Sequence, residues 1–138
     1  LTVADEVVVD VGNPDDIVAA RQAGHQLARK LGFSLTDVTM IATAISEVAR
    51  NITSYAGFGA IRVGVEDREG RQALVVRAED DGPGIANIER AMEDGYSTGR
   101  GLGLGLPGAR RLMDRMFVES TPGQGTVIEM WKWIPQNG

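Results

Sequence analysis

Thr43, Glu47 and Asn51 follow one another at intervals of four residues. On an α-helix that spacing stacks all three on one face. The side chains are chemically suited to each other. An amide oxygen can hold Mg²⁺, a hard cation that prefers oxygen ligands, without adding charge. A carboxylate one turn away can orient or deprotonate an attacking hydroxyl or water. Helix propensity gives no reason to put Asn there, although a polar stripe is also what any solvated helix face displays.

Two glycine-rich turns offer complementary chemistry. Asp80-Asp81-Gly82-Pro83-Gly84 directly follows an apolar run. As dipeptides, Asp-Gly and Pro-Gly make ordinary turns. As a strand end, the segment presents the Asp80 carboxylate at the rim of a sheet, able to accept a hydrogen bond from an exocyclic amine. Gly101-Leu102-Gly103-Leu104-Gly105-Leu106-Pro107-Gly108 is the strongest local signal. Its glycines leave backbone N–H groups free to point at phosphate oxygens, and a helix beginning there adds a positive dipole end. A Walker loop is excluded because no Gly-Lys-Ser/Thr occurs nearby. Gly103, Gly105 and Gly108 formally match G-x-G-x-x-G, but polar, broken sequence precedes them where a dinucleotide fold needs a strand.

These residues need elements to position them. Residues 4–11 read as a strand. Asn13 caps a helix that begins at Pro14, with acids in its first turn. Ile17, Val18, Ala20, Gly24, Leu27, Ala28 and Leu31 form its apolar stripe, and Gly32 stops it. Ser34 resembles a second cap. From there to about Ala56 runs the longest helical pattern, with Val38, Ile41, Ala42, Ile45, Val48 and Ile52 as its buried face. Residues 60–66 and 71–79 read as a hairpin turning at 67–70. A short helix over 86–94 and a glycine loop over 95–105 precede a helix starting at Pro107, which carries Ala109, Leu112, Met113 and Met116. Residues 117–120 and 126–134 close the chain as a strand pair. Strands meet in hairpins and helices come in groups, so the fold class is α+β rather than alternating βαβ units.

Composition bounds the function. The 138 residues suit one domain with one core. Cysteine is absent, which excludes disulfide scaffolds, thiolate metal sites and cysteine nucleophiles. A lone histidine, His25, cannot build a histidine-rich metal site. The net charge of −5 with only Lys30 and Lys132 as lysines argues against nucleic acid as a partner. No apolar run reaches the roughly 18 residues of a membrane span, and no signal-peptide pattern opens the chain. The expectation is therefore a cytoplasmic protein with no nucleic-acid or membrane partner.

Taken together, Glu47-x-x-x-Asn51, Asp80-x-Gly82-x-Gly84, Gly101-x-Gly103-Leu104-Gly105-Leu106 and a later Gly125-Thr126 resemble the Bergerat ATP-binding fold of the gyrase, Hsp90, histidine kinase and MutL superfamily, called GHKL. The stretches DIVAARQAGHQLARKLGF, AISEVARNI, AEDDGPGI and MEDGYSTGRGLGLGLPGARRLMD, with the terminal WKW, resemble the RsbT-type switch kinases of bacterial stress signalling, cousins of the anti-sigma-factor kinases. The likeness spans roughly residues 15–134. It implies a two-layer α/β sandwich with a mixed, mainly antiparallel sheet, formed by residues 1–138 as one domain. It further implies a serine/threonine kinase that uses ATP and Mg²⁺ on STAS-domain proteins of the stressosome and, when released, activates a PP2C-type phosphatase.

Residue by residue, the resemblance makes Glu47 the base or the residue that orients the acceptor hydroxyl, and Asn51 the Mg²⁺ ligand. Asp80 becomes the acceptor for the adenine amine, with Gly82 beside it and Gly84 letting the nucleotide approach. Gly101, Gly103, Leu104, Gly105 and Leu106 lie around the phosphates, and Thr126 supplies a hydroxyl on the adenine side. Arg100 is placed for a γ-phosphate contact, and Arg50 lies near Asn51. Other functions remain open: an anti-sigma-factor-type or other nucleotide-regulated binding module, or the excised ATP domain of a histidine kinase. A homodimer through residues 4–11 or the first helix is equally open.

Overall fold

In the computed structural model, which describes residues 6–84, 92 and 105–136, local capping signals set most helix ends. Strand β1 (Val7–Val11) leads into helix α1 (Pro14–Lys30). Asn13 Oδ1 accepts the Asp16 N–H at 3.1 Å, Asp15 and Asp16 occupy the first turn, and Arg29 and Lys30 the last. Those charges complement the helix dipole. Ser34 Oγ accepts the Asp37 N–H at 3.1 Å and opens α2 (Leu35–Tyr55). Strands β2 (Gly59–Arg68) and β3 (Arg71–Asp80) follow. They turn on Glu69 and Gly70, both at positive φ, the tight two-residue connection that matches strand twist. The chain is described again in α3 (Gly105–Leu112), β4 (Arg115–Thr121) and β5 (Gly125–Trp133).

The strands form one sheet in the order β1-β2-β3-β5-β4. All its pairings are antiparallel, more uniform than the mixed, mainly antiparallel sheet expected. Alternation puts Ile61, Val63, Leu74, Val76, Ala78, Ile128 and Met130 on the face toward the helices, where all are buried. There they meet Ile41, Ile45, Val48 and Ile52 of α2. Helix α2 contacts both α1 and α3, so it is the spine of the helical layer. The opposite face of the sheet has no described helix over it and covers itself. Trp131 packs on Phe117 and Trp133 at ring-centroid separations of 4.9 and 5.9 Å. Arg68 lies over Trp131, and Arg71 and Arg115 lie over Trp133. Arg77 bridges Glu79 and Glu129 on that face, and its hydrogen bond to Glu79, with the Glu129 charge, holds its pKa above the ordinary value.

Several boundaries differ from the sequence expectations. Pairing of β1 begins at Val7 rather than residue 4. Val18, expected in the apolar stripe of α1, is 42% exposed. Helix α3 begins two residues before Pro107, at Gly105, and ends at Leu112. Its end is fixed from outside: Lys132 Nζ donates to the Leu112 carbonyl at 2.8 Å, and the Asp114 N–H donates to the Trp131 carbonyl at 2.9 Å. The chain is thereby drawn into β4, so Met116, expected on the helix, lies on a strand. The helix expected over 86–94 falls outside the described residues apart from Met92, and so does the loop expected over 95–105 apart from Gly105, which begins α3.

Ile45, fully buried where α2 meets α1, fills the space that a Cβ on Gly24 would need, only 2.1 Å from its Cδ1. Ile45→Ala is expected to lower unfolding free energy by about 2–5 kcal/mol, read from a lower urea midpoint at unchanged slope.

Candidate functional site

The site lies where the C-terminal half of α2, the ends of β3 and β5 and the start of α3 converge. Asp80, the last residue of β3, is paired in register with Gly59 on β2 and Thr126 on β5. Directly opposed residues share a face of an antiparallel sheet, and for Asp80 that is the helix side, since it continues the Leu74, Val76, Ala78 series. A Cβ on Gly59 would sit 3.0 Å from Ile52 Cγ2 and 3.1 Å from Asp80 Cβ. Glycine there lets the sheet end tuck beneath the last turn of α2.

The turn after Asp80 is pinned on two sides. Asp80 Oδ1 accepts the Gly82 N–H at 2.9 Å, and the Pro83 carbonyl accepts the Gly123 N–H at 2.6 Å. Gly82 presses on the end of α2: a Cβ there would lie 2.5 Å from Ala56 Cβ. Gly84, at φ +79°, would bring a Cβ to 2.5 Å from the Thr121 carbonyl oxygen. Both glycines are thus required by the protein's own packing. Among the described residues Asp80 Oδ2 has no hydrogen-bond partner, which leaves one carboxylate oxygen for a ligand donor.

Thr126 is 4% exposed, and its hydroxyl lies 2.8 Å from Ser120 Oγ. Ser120 donates to the Gly125 carbonyl at 3.1 Å. A serine hydroxyl has one proton, so with that proton on Gly125 the Thr126 hydroxyl donates to Ser120 and keeps its own lone pairs.

Glu47 is buried, at 9% exposure. The polar stripe Thr43-Glu47-Asn51 is therefore no solvated face. Both carboxylate oxygens are engaged. Oε1 accepts the N–H of Gly105, the first residue of α3, at 3.1 Å, and Oε2 accepts from Arg50 Nη1 at 3.1 Å. Gly105 sits at φ +54°, a conformation glycine reaches without the Cβ penalty. A carboxylate at a helix N-terminus gains from the dipole. Asn51, one turn on, is half-buried, and among the described residues its amide makes no hydrogen bond. Leu106 is in the core at 5% exposure, so only its backbone can face the site. Arg100, Gly101, Gly103 and Leu104 lie outside the described residues.

This donor set fits an anionic ligand with a divalent cation. Mg²⁺ usually takes one or two protein ligands and completes its octahedron with phosphates and water. Asn51 offers one such oxygen, and no group of three or more metal-ligating side chains occurs among the described residues. Two residues at the site carried little sequence signal. Ser120 is recognisable only through its cross-strand register with Thr126, and Gly59 only through its place opposite Asp80.

Comparison with known proteins identifies the family. The family model "Histidine kinase-, DNA gyrase B-, and HSP90-like ATPase" matches residues 36–136. The serine/threonine-protein kinase RsbT of Bacillus subtilis is 49% identical over 130 residues, covering 94% of this chain and 98% of that protein. An anti-sigma F factor of Caldanaerobacter subterraneus is 31% identical over 86% of this chain and 85% of its own length. One from Clostridium acetobutylicum is 36% identical over 82% of each. The chain belongs to the RsbT-type branch of the histidine kinase-, DNA gyrase B- and HSP90-like ATPases.

Because Gly82 abuts Ala56 so closely, Gly82→Ala is expected to push the turn off α2 and lower stability by about 1–3 kcal/mol. Chemical denaturation of the variant beside the parent protein measures it.

Proposed function

We propose that this protein is an ATP- and Mg²⁺-dependent serine/threonine protein kinase of the bacterial cytoplasm. In this reading it phosphorylates STAS-domain stressosome proteins and, once released from them, binds and activates a PP2C-type phosphatase. The observation that carries the reading is Glu47: a buried carboxylate, fixed through both oxygens, one helical turn from an uncommitted Asn51 amide. The identity to a serine/threonine-protein kinase over nearly the whole chain supports it. Among the described residues no helix is long and apolar enough to cross a membrane.

The chain's residues divide the work. Asp80 Oδ2 accepts the adenine amine, and Thr126 lies beside it with lone pairs available. The Gly105 amide and the glycines at 101 and 103, with Leu104, Leu106 and Arg100, meet the phosphates. Asn51 holds Mg²⁺, which when bound neutralises charge on the transferring group. Glu47 takes the proton of the acceptor hydroxyl. The acceptor oxygen forms its bond to the γ-phosphorus as the bond to the β–γ bridging oxygen breaks, and ADP leaves. Catalysis of this kind is mainly positioning and charge stabilisation.

A second reading is nucleotide-dependent partner binding without transfer; the anti-sigma F factor relatives fit its partner-binding side. Incubation of the protein with Mg-ATP and a purified STAS-domain partner, followed by mass spectrometry, separates the two. Phosphoserine or phosphothreonine on the partner is expected. Phosphohistidine, or binding with no transfer, overturns the kinase reading.

Glu47→Gln keeps an acceptor for the Gly105 amide but removes the base. Transfer is expected to slow by about 10²–10⁴-fold with ATP binding retained, as single-turnover assays and calorimetry would show. Asp80→Asn keeps the turn acceptor but loses the charge offered to the ligand. ATP affinity is expected to fall about 10- to 100-fold, the range for a hydrogen bond to a charged group, with the thermal midpoint little changed. Unaltered affinity by calorimetry would remove Asp80 from the adenine pocket.

A further inference from the structure

Arg50 makes a contact whose two ends are unequal. Its guanidinium Nη1 lies 3.1 Å from Glu47 Oε2, yet the Glu47 side chain is 10% exposed and the Arg50 side chain 46%. A buried carboxylate needs donors, and Arg50 is one of the two that Glu47 has among the described residues.

The other end of the carboxylate points to a different use. Glu47 Oε1 rests on the Gly105 amide, an N–H within the glycine run that the kinase reading assigns to phosphate. The Gly105 amide therefore has two possible acceptors, the base and the nucleotide. When a phosphate oxygen takes it, Oε1 is released and the Arg50 contact remains. A glutamate side chain has three torsions, and a carboxylate with no fixed oxygen would sample several orientations. Arg50 has one described acidic partner, Glu47. Its outer side borders a groove of about 360 Å³ between α1 and α2, whose lining holds one other charge, Arg21, and no acid.

We propose that Arg50 is a positioning residue, holding Glu47 Oε2 so that Oε1, once freed from the Gly105 amide by nucleotide, faces the acceptor hydroxyl. The proposal rests on the kinase reading of Glu47. It predicts that Arg50 acts through Glu47 alone. A planar guanidinium fork fixes a carboxylate oxygen more tightly than an ammonium does, so lysine would substitute only partly.

The test is a double-mutant cycle on the full chain with Mg-ATP and a STAS-domain acceptor. Arg50→Met is expected to lower kcat about 10- to 100-fold, the scale of a misplaced catalytic group, with KM for ATP unchanged. Arg50→Lys is expected to recover part of the loss. In a Glu47→Gln background, Arg50→Met is expected to change nothing further, because two residues acting as one unit are not additive. Losses that multiply in the double variant, or a raised KM with normal kcat, overturn the proposal. So does a normal rate in Arg50→Met, which leaves the kinase reading standing if Glu47→Gln is impaired. A normal rate in Glu47→Gln removes the kinase reading and the proposal with it.

Discussion

A carboxylate shielded from water has to be met by donors, or its desolvation destabilises the fold by several kcal/mol. Glu47 meets that constraint by joining pieces distant in sequence: an arginine on its own helix and the first amide of a helix 58 residues further along. The same contact fixes where α3 begins and how it sits on α2. Lys132 does the converse at the far end, taking up the Leu112 carbonyl and approaching Asp37 near the start of α2. Helix α3 is therefore clamped by a negative charge at its beginning and a positive one at its end, the polarity its dipole favours.

The sheet supplies the second half of the site through register alone. Because Gly59, Asp80 and Thr126 are cross-strand partners, one row holds a carboxylate, a hydroxyl and a gap where a side chain would otherwise stand. That row continues the apolar rows beneath it, so the candidate site stands at the end of the core face, where burial gives way to polar groups. The Asp80 turn is tied to the β4–β5 turn and pressed against Ala56, which gives the row a rigid frame.

Much of this was legible from local sequence. The Asn13 and Ser34 caps, the apolar face of α2 and the Glu69-Gly70 hairpin depend on neighbours within a few residues, and they lie where periodicity puts them. What escaped was decided at long range. Leu112, Met113 and Met116 fit a helical stripe, but Lys132 and Trp131 end the helix before Met116. The Thr43-Glu47-Asn51 stripe reads alike whether it faces water or another element, and Glu47 is buried with the start of α3 against it. The tight contacts that Gly82 and Gly84 make with Ala56 and Thr121 likewise join distant segments and have no local signature.

The chain's two tryptophans both lie on β5, in the aromatic cluster on the sheet's outer face, whereas Asp80 and Thr126 point to the inner one. An intact sheet separates them. Intrinsic emission from this protein therefore tracks unfolding, or contact made on the outer face, and is a poor reporter of ligand loading on the other side. An optical signal for occupancy would have to come from a fluorophore introduced near the C-terminal end of α2, around the exposed Tyr55.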